Sequence, residues 1–247
     1  MGRVFGMLFS VMAYLLGVAA LVGLILWMAG WILPVTIDIG YAPSQMGLHP
    51  ALAAIFNGVL ILIWGSQHSW MATPVFKDRW KAVIPASIER SSYVLAVAVL
   101  TGAMILLWQS LPLIIWDVSG QTLGTILAVT YMFGWGIVLL STFLINHFHL
   151  FGLQQAFVNL TERETKEASF VTPFLYKLVR HPMMTGVLIS LWAAPTMTVG
   201  RLVVALGLTA YVYFGLKNEE KTLMVELGDQ YRDYQSTTPM VIPFVKP

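Results

Sequence analysis

The chain has 247 residues, of which 57% are hydrophobic and 11% charged, with a formal net charge of +2. Soluble domains carry roughly a quarter charged residues, so this composition excludes an ordinary water-soluble fold. It equally excludes disorder, which needs low hydrophobicity and high charge. The small net charge excludes an electrostatic groove for nucleic acid, and the lack of cysteine excludes a disulfide framework and a thiolate metal centre.

Long apolar runs define the predicted elements. The first runs from about Phe5 to Leu33 without a charge and is too long for a cleaved signal peptide. The second covers about Ala51 to Gln67 with Asn57 inside it, the third Tyr93 to Trp116, and the fourth Thr122 to Ile145. A polar linker, Thr161 to Lys177, precedes two shorter runs, Met183 to Thr198 and Leu202 to Leu216, which meet in a tight hairpin at Thr198-Val199-Gly200-Arg201. The tail from Glu219 to Tyr234 reads as a helix continuing the last run, capped near Gly228 and followed by a second turn. The expected fold is an all-α polytopic membrane bundle of about six spans with a cytoplasmic C-terminal helix. Residues 1–160 form a four-span region on the acceptor side and residues 161–247 a donor-binding region, within one integrated domain.

With six spans, 13 of the 14 basic residues fall on one side and only Arg201 lies across. Basic loops stay in the cytoplasm, so both termini are expected there. That side also holds His68, His147, His149 and His181, together with Glu89-Arg90, Arg180-His181-Pro182 and Asn218-Glu219-Glu220-Lys221. Chemistry is therefore expected at the cytoplasmic boundary. Trp64, Trp70, Trp80, Trp108 and Trp116 lie near span ends and read as an interfacial aromatic belt.

Leu175-Tyr176-Lys177-Leu178-Val179-Arg180-His181-Pro182, then Gly186 and an apolar hairpin, resembles the Arg-His-Pro motif of the isoprenylcysteine carboxyl methyltransferase-like superfamily. Glu219-Glu220, Leu223, Leu227-Gly228, Tyr231, Tyr234 and Pro239 are similar to the second half of that signature. Upstream, Gln67-His68-Ser69-Trp70-Met71-Ala72, Phe76-Lys77, Ile84-Pro85, Glu89-Arg90-Ser91 and Asn146-His147-Phe148-His149 resemble the bacterial methanethiol S-methyltransferase group. Met184 stands where many superfamily members have Tyr, and His149 where Asp is usual.

The resemblance implies a bacterial inner-membrane enzyme that uses S-adenosylmethionine, releases S-adenosylhomocysteine and methylates a small thiol. It implies donor-binding roles for Tyr176, Arg180, His181, Pro182, Gly186, Glu219, Glu220, Tyr231 and Tyr234. A guanidinium grips a carboxylate in a bidentate fork, which suits Arg180. A carboxylate accepts from an ammonium or ribose hydroxyls, which suits one of Glu219 and Glu220. Pro182 can open a helix.

The thiol side needs a base, because the thiolate is the nucleophile. A neutral imidazole serves, so His68 and His147 are the candidates, with Glu89 and Arg90 as an orienting pair. On one helix His147 and His149 would point about 200° apart, so only one would face the bundle. A metal held by His68, His147 and His149 is the less favoured alternative. Each of these groups also has a plainer reading as a span-end anchor or packing residue. Two other functions stay open: a membrane methyltransferase for an isoprenylcysteine carboxylate or lipid amine, and a non-catalytic polytopic transport protein.

Overall fold

A computed structural model describes residues 2–163 and 170–245. The middle of the expected linker, residues 164–169 with Lys166, and the last two residues, Lys246 and Pro247, lie outside the described residues. Among the described residues five helices are long and apolar enough to cross a membrane: α1 (Gly2–Ala29), α2 (Pro50–Ala72), α4 (Ala86–Leu107), α5 (Thr122–Ile145) and α9 (Val199–Leu227). In lipid every backbone polar group must be paired within the protein, so charge-free runs of this length become helices. Shorter helices are α3 (Pro74–Lys81), α6 (His147–Leu150), α7 (Leu153–Thr161), α8 (Pro182–Trp192) and α10 (Asp229–Thr237), and two strands are β1 (Ile114–Asp117) and β2 (Thr196–Thr198).

The chain divides into two compact units, Met1–Leu113 with Asn146–Ala168, and Ile114–Ile145 with Ser169–Pro247. The fourth span, α5, thus belongs with the C-terminal part of the chain, not with the first three spans.

In the first unit α4 packs against α1 and α2, and α7 lies against α1 and α4. Small residues let α1 and α4 approach closely: Ser91 Oγ donates to Ser10 Oγ at 2.7 Å. A Cβ on Gly17 would stand 2.6 Å from Val94 Cγ1. Gly152 has φ +89° and packs on Ser91, where a Cβ would meet Ser91 N at 2.7 Å. Asn57, fully buried, donates to Gln109 O at 2.8 Å and accepts from Gln109 N at 2.9 Å. The polar residue inside the second run therefore ties α2 to the chain leaving α4.

In the second unit the main packing is α5 against α8. A Cβ on Gly186 would lie 2.4 Å from Gly134 O, so the two backbones touch. β1 pairs antiparallel with β2, Ile114 opposite Thr198 and Asp117 opposite Thr196, with an irregularity between Ile114 and Trp116. α9 ends at Gly228, whose φ is +58°, and α10 folds back onto it, as expected for a helix capped there.

Three expectations change. The third run reads as a span to Trp116, but α4 stops at Leu107 and residues 114–117 form β1. The fifth run is not one span-length helix: α8 has 11 residues, about 16 Å at 1.5 Å per residue, and the remaining distance is extended chain ending in β2. A strand, not only a turn, thus precedes α9. The aromatic belt also loses one member: Trp108 is 0% exposed and packs edge-on against Trp27 with centroids 5.3 Å apart.

Candidate functional site

The candidate residues gather in two side-chain clusters, one in each unit. In the second unit Pro182 opens α8 and His181 precedes it as the N-cap, because proline fits the first turn, where no N–H is needed. Arg180 N donates to Pro239 O at 2.9 Å and His181 N to Met240 O at 3.0 Å. Thr185 Oγ1 donates to Val241 O at 2.7 Å. These bonds strap the C-terminal tail along the start of α8.

Glu220, on α9, is the hub beneath that strap. Its Oε1 accepts from Arg180 Nε at 2.6 Å, His181 Nε2 at 3.2 Å and the Tyr231 hydroxyl at 3.3 Å, and its Oε2 accepts from Gln235 Nε2 at 3.1 Å. Arg180 Nη1 donates to Gln235 O at 3.1 Å and also to Thr238 O. A buried charge pair is tolerable only when its remaining hydrogen-bonding capacity is met, and here His181, Tyr231, Gln235 and Thr238 meet it. The guanidinium expected to grip a donor's carboxylate thus has its Nε and Nη1 engaged inside the protein.

Of the acidic pair, Glu219 faces outward: its side chain is 54% exposed against 9% for Glu220, and its Oε2 lies 3.8 Å from His181 Nδ1. Tyr234 Oη donates to Tyr176 O at 2.5 Å. Phe170, Tyr231 and Tyr234 form an edge-to-face trio with centroids 5.5 to 6.3 Å apart. Burial pushes the Tyr231 and Tyr176 phenols well above the usual range and Tyr234 up to about 12, so all three stay protonated. Gly186 stands apart from this cluster, in the α5–α8 contact.

Carboxylates beside an aromatic trio suit a cation that also carries a flat ring. The donor set therefore fits a sulfonium nucleoside better through Glu219, His181 and the rings than through Arg180.

In the first unit the histidines lie in separate settings. His68, on α2, stacks on Trp64 with centroids 5.0 Å apart and planes 19° apart. Its Nε2 is 3.0 Å from the hydroxyl of Tyr93 on α4. Arg90 lies over the Tyr93 ring at 4.6 Å and donates through Nε to Leu150 O at 2.7 Å. Glu89, buried, sits in the first turn of α4, where a negative charge complements the helix dipole. His147 is buried with its Nε2 3.1 Å from the Tyr14 hydroxyl and its ring tilted on Phe151, while His149 is exposed. Only one of that pair faces inward, as the helical spacing requires. Burial lowers the pKa of both, and Arg90 lowers that of His149 further. Among the described residues no three histidine, aspartate or glutamate side chains gather into a metal-binding group.

The sequence reading missed Tyr93, Trp64, Tyr14, Phe170 and Gln235 as members of these clusters. Trp64 and His68 are four residues apart, and Arg90 and Tyr93 three apart, spacings that share one helix face. That signal was available for the pairs within a helix but not for partners on different helices.

No family model matches the chain, and no solved structure matches it. It is 43% identical over 213 residues to a methanethiol S-methyltransferase of Pseudomonas deceptionensis, covering 86% of this chain and 79% of that protein. It is 42% identical over 192 residues to a methanethiol S-methyltransferase of Mycobacterium tuberculosis, covering 78% of this chain and 79% of the other. A protein of the same name from Crocosphaera subtropica is 36% identical over 245 residues, covering 99% of this chain and 94% of its own length.

Proposed function

The chain belongs to the methanethiol S-methyltransferase family, and we propose that it methylates methanethiol to dimethyl sulfide at the cytoplasmic face of the bacterial inner membrane, with S-adenosylmethionine as donor. The observation that carries this reading is likeness to relatives of that name over almost the whole chain. The side chains at the two clusters supply the matching chemistry. The one-sided distribution of basic residues supports a cytoplasmic placement, where a soluble sulfonium donor is available.

Glu219, His181, Tyr176, Tyr231 and Tyr234 would hold the donor. When bound, it supplies a methyl group on a sulfonium sulfur and departs as S-adenosylhomocysteine. Arg180 acts through its partners: it fixes Glu220 and the tail from Gln235 to Thr238.

On the acceptor side a neutral thiol is a poor nucleophile: a cysteine thiol titrates near pH 8.5, and a simple alkyl thiol is a weaker acid still. His68 takes the S–H proton, and the freed lone pair on sulfur forms the new S–C bond. Stacking on Trp64 and the hydroxyl of Tyr93 hold the imidazole plane. Helices embedded in lipid keep water from the thiolate.

The test is an assay of detergent-purified protein with S-adenosylmethionine and methanethiol, followed by headspace detection of dimethyl sulfide. His68→Ala is expected to lower turnover at least 100-fold, while S-adenosylhomocysteine still binds by calorimetry. A wild-type protein that makes no dimethyl sulfide above background overturns the activity. A fully active His68→Ala variant overturns the base.

A further inference from the structure

Trp64 does more than hold His68. Its Nε1 donates to Thr101 Oγ1 on α4 at 3.0 Å, which fixes the indole plane across the gap between α2 and α4. One side of the ring meets His68. The ring also lines an apolar recess of about 140 Å³, shared with Leu60 and Ile63 of α2 and with Leu100, Ala103, Met104 and Leu107 of α4.

The two helices run antiparallel: His68 pairs with Tyr93, Trp64 with Thr101, and Asn57 with Gln109. All of these but Leu100 lie, on both helices, beyond the Trp64–Thr101 bond as seen from His68. The indole therefore stands between the imidazole and most of this apolar recess, whose outer rim at Ile63 and Leu107 is exposed. An apolar space of this kind favours alkyl chains and offers a polar group nothing.

We propose that Trp64 sets the acceptor's chain length: it admits a one-carbon thiol to His68 and closes off the recess that a longer n-alkyl chain would fill. This rests on the reading of His68 as the group that takes the thiol proton. The reaction is unchanged for a longer thiol: the S–H proton goes to His68, the new S–C bond forms and the donor's sulfonium C–S bond breaks. No further reactant enters.

Removing the indole joins the recess to the His68 side. Each methylene held in an apolar pocket changes kcat/KM by roughly 10-fold or more. Purified enzyme given methanethiol and 1-butanethiol in competition reports the ratio of the two kcat/KM values, which is insensitive to a general loss of activity. Trp64→Ala is expected to raise the ratio of butanethiol to methanethiol at least tenfold, and Trp64→Phe, which keeps a ring in place, to leave it near the wild-type value. Adding Ala103→Leu to Trp64→Ala refills the recess and should restore the preference for methanethiol.

Should Trp64→Ala fail to fold, Trp64→Leu is read in its place. An unchanged ratio in a folded, donor-binding variant overturns the proposal, as does a gain that Ala103→Leu does not reverse. Failure of the underlying reading looks different: His68→Ala then keeps its activity, whatever the selectivity of the Trp64 variants.

Discussion

Glu220 accepts from four side chains while Glu219, one residue earlier, is exposed. Consecutive helical residues point about 100° apart, so an acidic pair at a helix end commits one member inward. Removing one partner of a buried ion pair costs about 3–5 kcal/mol, because the other charge is left uncompensated. Glu220→Gln is therefore expected to lower the thermal midpoint of detergent-purified protein markedly, and Glu219→Gln to leave it nearly unchanged while weakening donor binding. Equal midpoints for the two variants would contradict the hub role. At this scale the sequence pointed to residues that the fold brings together. The Arg180-His181-Pro182 motif and the acidic pair do converge in space, and Pro182 does open a helix. Which glutamate turns inward was not legible, since nothing in the local pattern of a helix end separates them. Nor was the occupation of Arg180, because its partners Gln235 and Thr238 come from a tail more than fifty residues away.

Between elements, close backbone approach replaces side-chain interdigitation. Without a hydrophobic drive in lipid, helices associate by packing, and small residues allow contact. Gly134 and Gly186 meet this way: a Cβ on Gly134 would lie 2.6 Å from Gly186 O and 2.3 Å from Ser190 Oγ. Gly134→Ala must push α8 away from α5, and overpacking of this kind costs about 1–3 kcal/mol. Gly136→Ala, two residues along the same helix with nothing within 4 Å of its Cβ, is the matched control. The midpoint should fall for the first variant and hold or rise for the second, since alanine is the better helix former. Similar losses in both would show that α5 and α8 do not depend on this contact. The glycine of the Arg-His-Pro motif thus also packs against α5, a contact its linear neighbourhood did not reveal. The long spans were legible for the opposite reason: a charge-free run of more than twenty residues has few alternatives to a helix.

Across the whole chain, the number of membrane crossings follows from the short strands and not from helix length alone. Five helices are long enough to span, an odd number that would place the two termini on opposite sides. β1 follows α4 and precedes α5, and β2 pairs with it directly, while Val118 N also bonds to Pro195 O at 2.9 Å. Both strands therefore lie on one side, and the segment from Pro182 to Thr198 completes a sixth crossing as an 11-residue helix plus extended chain. Non-helical backbone at membrane depth is tolerated only when the protein covers it. Ala193, Ala194, Met197 and Thr198 are all at most 6% exposed, which explains why the fifth apolar run need not be a long helix. Six crossings with the basic loops inside would put residues 118–121 outside and α10 inside. The chain has no cysteine, so single substitutions give single labels. Ser119→Cys and Ser236→Cys replace exposed serines on the two sides. A membrane-impermeant maleimide added to spheroplasts should label Ser119→Cys at once and Ser236→Cys only after lysis. Prompt labelling of Ser236→Cys in unlysed spheroplasts would mean an odd number of crossings or a reversed orientation. The Arg180–Glu220 cluster, strapped by that same tail, would then lose its access to a cytoplasmic donor.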